Sequence, residues 1–255
     1  MIEEKQNDYI YELCINTNKK NTMSFKFFQE LIKSIDKAES DKNTKIILLS
    51  ARGNEYFSNG FEPEMFIDKN YDEIYSIVQV AIEATKKVLF FPKIILSLIN
   101  GHCMGVGSVV ATFTDYRIMV DSKIRFGFPE SLIGINFPTG ACLVLKELIG
   151  FQNTRDVLYS GKGLKPHEAV AIGLVDELCE QNDLYETGLK YCKQFKNMAM
   201  ESIKGIKYSL RKNIVSQISS IESDDIKNLA KAIYSPNGQE GMKSIVEKRK
   251  PVFSP

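Results

Sequence analysis

Apolar positions along this chain follow two spacings, and the spacings mark out its elements. The stretch "YIYELCIN", from Tyr9 to Asn16, alternates and is rich in β-forming residues, so it predicts a strand. From Met23 onward Phe28, Leu31, Ile32 and Ile35 recur at i, i+3, i+4 and i+7, which predicts a helix that Thr22 or Ser24 can cap. "TKIILLS" and "KIILSLIN" are continuous apolar runs, the mark of strands buried on both faces. Between them a helix over about Tyr71 to Phe91 stops before Pro92, because the residue preceding a proline avoids helical geometry. "GHCMGVG" predicts a glycine-rich turn, "SVVATF" opens an apolar helix, and "YRIMV" and "KIRFGF" predict two short strands. Beyond Glu130 the pattern is mostly helical. Strand and helix alternating in this way predict an α/β domain with parallel strands and right-handed crossovers, followed by a helical tail.

Ligands of such sheets bind at the carboxyl ends of the strands. Two unusual turns follow buried strands and can therefore meet at one site. The first lies in "FSNGFEPEMF", where Asn59-Gly60 is a strong reversal signal and the bulky Phe61 follows at once. Such a bend can present the Phe61 amide to something outside the chain. Glu62 and Glu64 then open a helix, where carboxylates suit the dipole. The second turn is "NGHCMGVGSVV", where Gly105 and Gly107 bracket Val106 at a helix start. Glycines there allow either close approach to a ligand by free, partly positive amides, or tight packing of helix on sheet.

Composition narrows the classes. The 255 residues suffice for one large core domain, or one domain with an appended helical segment. Lysine and arginine number 33 against 32 aspartates and glutamates, and no basic stripe stands out, so nothing points to nucleic acid. The basic tail "EKRKP" fits a solvated face and can touch an anionic ligand. No apolar run approaches the roughly 18 residues of a membrane span, and the acidic N-terminus matches no signal or transit peptide. The five cysteines, Cys14, Cys103, Cys142, Cys179 and Cys192, form no C-x-x-C pair and are odd in number. They are expected to be reduced core residues of a cytoplasmic protein rather than a disulfide or metal framework.

Three familiar glycine motifs fail. Val110 occupies the third glycine position of a dinucleotide fingerprint, "SGKGLK" does not satisfy a P-loop, and Val106 and Val110 stand where a serine-hydrolase elbow around Ser108 needs glycines. Glu130, after a proline in "FGFPESLIGINFP", sits among apolar residues. A carboxylate so placed is either an edge group pointing to water or a desolvated one with a raised pKa, suited to general-base work near neutrality. His102 and His167 are the only histidines. No serine or cysteine arrangement recruits His102, which fits a hydrogen-bonded structural role, and His167 fits the start of a surface helix.

Several of these segments occur in a familiar order: "FSNGFEPEMF", "NGHCMGVGSVVATFTDYRIM", "FGFPESLIGINFP", "LYSGKGLKPHEAVAIGLVDEL" and "GQEGMKSIVEKRKPVF". Across essentially its whole length the chain resembles the crotonase superfamily, the enoyl-CoA hydratase/isomerase family. "FSNGF", "NGH", "DYRIM" and "IGINFP" look closest to the monofunctional Δ3,Δ2-enoyl-CoA isomerases. The resemblance implies a ClpP-like spiral of ββα units over residues 1–195 with a C-terminal helical segment over 196–255, assembled as a homotrimer or a hexamer. It implies an acyl-CoA substrate whose thioester oxygen is gripped by the backbone N–H groups of Phe61 and Val106. Around that substrate it places Ser58, Gly60, Gly105, Val109, Pro129 and Phe137. No metal or redox cofactor is implied, since coenzyme A enters as part of the substrate and the thioester is itself the electron sink.

One departure matters more than the matches. Hydratases of the family hold the attacking water between two glutamates. Here one position is Val109 and the other is Glu130. Hydration needs a water placed beside C3, which two carboxylates do well, whereas moving one proton between C2 and C4 needs one carboxylate over an enolate. The expected activity is therefore isomerisation of a 3-enoyl-CoA to a 2-enoyl-CoA, with Glu130 as the sole acid/base. Within the same fold, hydration, decarboxylation, or dehydration on a CoA or carrier-protein thioester are the alternatives. A non-catalytic acyl-CoA-binding protein is the alternative of another class.

Overall fold

A computed structural model describes residues 1–254. The continuous apolar runs take the centre of a six-stranded sheet, ordered β1-β2-β3-β5-β7-β9. Its strands are β1 (Ile2–Asn7), β2 (Ile10–Ile15), β3 (Ile46–Ala51), β5 (Ile94–Ile99), β7 (Tyr116–Val120) and β9 (Glu177–Cys179). Every pairing is parallel except β1 with β2. All six residues of β5 are buried, as expected for a strand covered on both faces. A second, three-stranded parallel sheet holds β4 (Tyr56–Ser58), β6 (His102–Met104) and β8 (Phe126–Gly127).

The two sheets are threaded together. Each of β3, β5 and β7 in the large sheet runs on into β4, β6 or β8 in the small one, and a helix then returns the chain. The returning helices are α2 (Tyr71–Phe90), α3 (Val106–Thr112) and α4 (Thr139–Ser160). Three ββα units in series make the spiral that the sequence motifs imply. Helix α1 (Phe25–Ser40) precedes the spiral, and Ser24 caps it by accepting from the Phe27 N–H at 3.3 Å. Helices α5 (Pro166–Ala171), α6 (Leu184–Lys193), α7 (Met200–Tyr234) and α8 (Pro236–Glu247) complete the described chain.

One element had no expectation attached to it, and three local expectations are corrected. The polar N-terminus forms β1, an exposed edge strand whose partner β2 supplies the apolar face. The run "GHCMGVG" is not all turn, because His102–Met104 pairs as β6 between β4 and β8. "KIRFGF" contributes only Phe126–Gly127 as strand. Glu62 and Glu64 open no α-helix: Pro63–Met65 form one 3-10 turn, after which Phe66 turns fully into the core and α2 begins only at its Asn70 cap.

Helix α7 spans 35 residues, and charged groups dock it onto the sheet. Asp115, just before β7, pairs with Lys207 at 2.6 Å and Arg211 at 2.9 Å and also accepts the Ile95 N–H at 2.8 Å. Lys207 donates in addition to the Lys93 carbonyl at 2.7 Å. Burial pushes the Lys207 ammonium down to about 8, and Asp115 opposes that push. Replacing Asp115 by Asn would leave two nearly buried cations without their anion. We expect Asp115→Asn to cost about 3 kcal/mol of unfolding free energy, read from urea melts; an unchanged midpoint would show that the Asp115 ion pairs add nothing to the docking of α7.

Candidate active site

The two bends meet because β4 and β6 are neighbours in the small sheet. Gly60 has φ 86° and Gly105 has φ 55°, values that residues with a Cβ adopt only under strain. A Cβ on Gly60 would stand 3.1 Å from the Met104 carbonyl oxygen and 3.6 Å from the Val106 nitrogen. Gly107 serves packing instead, since a Cβ there would come within 2.6 Å of the Ser58 Cβ. Of the two uses that the sequence left open for the glycine run, tight packing is the one seen at Gly107, while Gly105 lies against the Gly60 bend.

Hydrogen bonding fixes the first bend from behind. Ser58 is fully buried, donates to the Asn21 carbonyl at 2.8 Å and accepts the Gly60 N–H at 3.1 Å. The carbonyls and amides on either side of Phe61 are also used: Met23 N–H bonds Gly60 O at 2.8 Å and Glu62 N–H bonds Met23 O at 3.1 Å. The Phe61 N–H between them has no acceptor among the described residues, and neither has the Val106 N–H at the start of α3. Two donors without partners thus lie on adjoining turns.

Both residues line a narrow apolar pocket at the junction of the two hydrophobic clusters of the molecule. Its cavity volume is about 70 Å³, several times the roughly 10–15 Å³ that one water needs. The Phe61 ring packs edge-on against Phe28, with centroids 5.7 Å apart, and against Phe66 at 5.2 Å. Val109 of α3 and Phe113 just after it, Ala81, Ile82 and Leu89 of α2, and Ile218 and Leu229 of α7 supply most of the remaining wall.

Glu130 enters this pocket from the 3-10 turn Glu130–Ile133. Its Oε1 lies 3.9 Å from where a Cβ on Gly105 would stand, so the carboxyl stands beside the second bend. Oε2 is shut off from solvent and has no hydrogen-bond partner. Burial pushes the carboxyl up from the ordinary 4.5 to about 7, opposed only by the residue's own backbone N–H. Of the two readings left open by the sequence, the geometry favours the desolvated carboxyl: the residue as a whole is half-buried, but its Oε2 is shut off from solvent. The other carboxylates at the pocket are occupied. Asp225 accepts the Thr139 and Gly140 N–H groups at 2.8 and 2.7 Å, capping α4, whose own N-cap is Pro138 and offers no side-chain acceptor. Glu222 is held by Lys86.

Of the residues singled out from sequence, Phe61, Val106, Val109 and Glu130 line the pocket. Ser58, Gly60 and Gly105 shape the bends behind it. Pro129 precedes the turn that carries Glu130, and Phe137 packs edge-on against Phe128 at 5.5 Å while its neighbours Asn136 and Pro138 reach the pocket. His102 lies outside it: its Nδ1 accepts the Arg125 N–H at 3.1 Å, its ring stacks near Tyr56, and burial followed by the nearby Arg125 charge lowers its pKa. His167 pairs with Asp121 on the surface. Sequence reasoning passed over the α2 and α7 residues of the wall, which carry no motif; their amphipathic spacing was the only available signal. Among the described residues no group of three His, Cys, Asp or Glu side chains converges as a metal would require, and no helix is long and apolar enough to cross a membrane.

A spiral of ββα units around an apolar pocket defines a crotonase-type fold. The sequence profile of the enoyl-CoA hydratase/isomerase family matches residues 5–255, and the chain belongs to that family. It is 25% identical over 231 residues to human mitochondrial enoyl-CoA delta isomerase 1, covering 90% of this chain and 76% of that protein. It is 22% identical over 230 residues to the short-chain-enoyl-CoA hydratase of Clostridium acetobutylicum, covering 90% and 88%. The crystal structure of human mitochondrial delta3-delta2-enoyl-CoA isomerase superposes with a TM-score of 0.93 at 22% identity, covering 97% of each chain.

The Glu130 carboxyl has a consequence for stability. A carboxyl whose folded pKa is raised binds its proton more tightly in the folded state. Its contribution to stability is complete below about pH 4.5 and is lost as pH rises through about 7. At 1.36 kcal/mol per pKa unit the loss is at most about 3 kcal/mol. Glu130→Gln should therefore unfold with a flatter pH dependence, gaining on the parent between about pH 5 and about pH 8; parallel curves in urea melts would show that the carboxyl is solvated.

Proposed function

We propose that the protein is an enoyl-CoA isomerase that moves a double bond from the 3- to the 2-position of an acyl-CoA thioester. The observation that carries this reading is the isolation of Glu130: a carboxyl whose buried Oε2 has no partner, in a pocket where Val109 stands at the position of a second one. The thioester oxygen would accept from the Phe61 and Val106 N–H groups. Glu130 would remove a proton from C2, the electrons moving into the C2–C1 bond and onto that oxygen as an enolate. The same carboxyl would return the proton to C4 as the double bond forms between C2 and C3. Nothing is consumed, and substrate and product differ only in the position of one proton and one π bond. One lost oxyanion donor costs about 2.7–4 kcal/mol of barrier in comparable sites, so two preorganised amides account for much of the catalysis. A base with a pKa near 7 is matched to work near neutrality.

The test is a panel of 3-enoyl-, 2-enoyl- and malonyl-type esters, offered both on coenzyme A and on a carrier protein. Fast conversion of 3-enoyl-CoA with slow hydration of 2-enoyl-CoA is the expected result. Efficient hydration would transfer the assignment to hydratase, and tight binding without turnover would make the protein a binding module. Glu130→Gln should lower isomerisation by at least about 10²-fold while acyl-CoA still binds. In the parent, kcat/KM should rise with pH through about 7 as Glu130 ionises. Wild-type turnover by this variant would refute the assignment of the base.

The oxyanion assignment is tested at Phe61 separately. Phe61→Ala keeps the N–H and should alter mainly the preference among acyl chains. Phe61→Pro deletes the donor and should cost about 2.7–4 kcal/mol of barrier, with the melting temperature as the folding control. Full activity in a well-folded Phe61→Pro protein would remove the Phe61 amide from the mechanism.

A further inference from the structure

Two paired charged side chains from helices other than those of the bends interrupt the apolar pocket wall. Lys86 of α2 reaches Glu222 of α7 with both carboxylate oxygens in range, Oε2 at 2.6 Å, and each side chain is only about a quarter exposed, at 25% and 26%. Both residues line the inner pocket, and both also line an open groove on the outer side of the α2–α7 contact. That groove has about 740 Å³ of space against about 70 Å³ inside, and Tyr75, Gln79, Glu83, Ser219 and Ser223 contribute to its polar surroundings. The pair is therefore a partition one residue thick, with an apolar cavity on one face and a solvent-filled trough on the other. An apolar pair would close the pocket equally well but would expose hydrocarbon to the groove. A lysine laid against a carboxylate closes it while its stem covers the apolar side and its head remains partly wet.

We propose that the Lys86–Glu222 pair is the end wall of the acyl pocket and sets the longest acyl chain the protein accepts. This rests on the reading of the pocket as an acyl-thioester site. Chains short enough to stop before the pair gain contact with each added methylene, by about 3- to 4-fold in affinity. A chain that reaches the pair must displace a charged couple that nothing else in the wall replaces, so affinity breaks at that length. Neither residue touches the reacting atoms, and their influence is on length alone.

The experiment measures binding of a homologous series of saturated acyl-CoA esters by calorimetry, which needs no turnover. The parent should show rising affinity up to one chain length and a fall beyond it. The double variant Lys86→Ala/Glu222→Ala opens the pocket into the groove. It should move that break to longer chains, with a gain of about tenfold for the first ester the parent excludes and unchanged binding of the shortest esters. The charge-swapped variant Lys86→Glu/Glu222→Lys keeps the couple and should keep the parent's break, which guards against a merely loosened fold. An unmoved break in the double variant, an equal shift in the swapped one, or no length dependence in the parent would each overturn the proposal. If the break moves as expected but 3-enoyl-CoA is never isomerised, the end wall stands and the isomerase reading falls.

Discussion

Everything at the candidate site depends on one steric constraint, the approach of two backbone bends that only glycine permits. Gly60 and Gly105 face each other across neighbouring strands of the small sheet, so closely that a Cβ on Gly60 would crowd the Met104 carbonyl. The chain can bring them together because each ββα unit leaves the large sheet at the same end and contributes one short strand to the small one. The amides of Phe61 and Val106 are then placed by backbone alone. Their positions rest on the β4–β6 ladder and on Ser58, whose hydroxyl ties the first bend to Asn21. A site built this way tolerates changes in side chains far better than changes in the sheet beneath it.

The second constraint is electrostatic and opposes folding. A carboxyl left without a partner in an apolar pocket is unfavourable, and Glu130 persists there because the surrounding elements are fixed on other grounds. Asp115 docks α7 through Lys207 and Arg211 at one end, and Asp225 on the same helix caps α4 near the other. Each of those carboxylates is satisfied, so the wall is rigid where it meets the pocket and the unfavourable term is confined to one group. Asp225 is tied to two backbone N–H groups, whereas Glu130 Oε2 is tied to none, and that contrast distinguishes the two acids more clearly than burial does.

Much of this was legible in the sequence, and the parts that were not share a cause. β3 and β5 could be read because a strand buried on both faces must be apolar throughout. Ser24 and Pro92 bound their helices by local chemistry. Asn59-Gly60 and Gly105 were readable as bends, and Glu130 as a carboxylate in apolar company. What escaped depends on partners distant in the chain. β1 is polar because it is an edge, and only β2 makes it a strand. His102–Met104 is too short to have a period and is strand only because β4 and β8 flank it. Lys86, Glu222 and Asp225 look like ordinary helix-surface charges until α2, α4 and α7 are assembled, since a pair 136 residues apart leaves no local trace.

The absence of a second carboxylate at Val109 acquires its meaning from the geometry. Addition of water at C3 requires an oriented nucleophile, and a methyl-bearing wall offers no hydrogen bond to hold one. Val109 is itself 92% buried, and α3 packs it into the same cluster as Val106 and Phe113. A glutamate there would bring a second charge within the desolvated region that already raises Glu130, and two neighbouring carboxylates with one pocket between them cannot both ionise freely. In the proposed isomerisation, valine would avoid that conflict, offer water no hydrogen bond at this wall and leave Glu130 as the one proton carrier. The proposed isomerisation asks for no more than this: one base, two fixed donors, and a pocket dry enough that a proton taken from the substrate is given back to it.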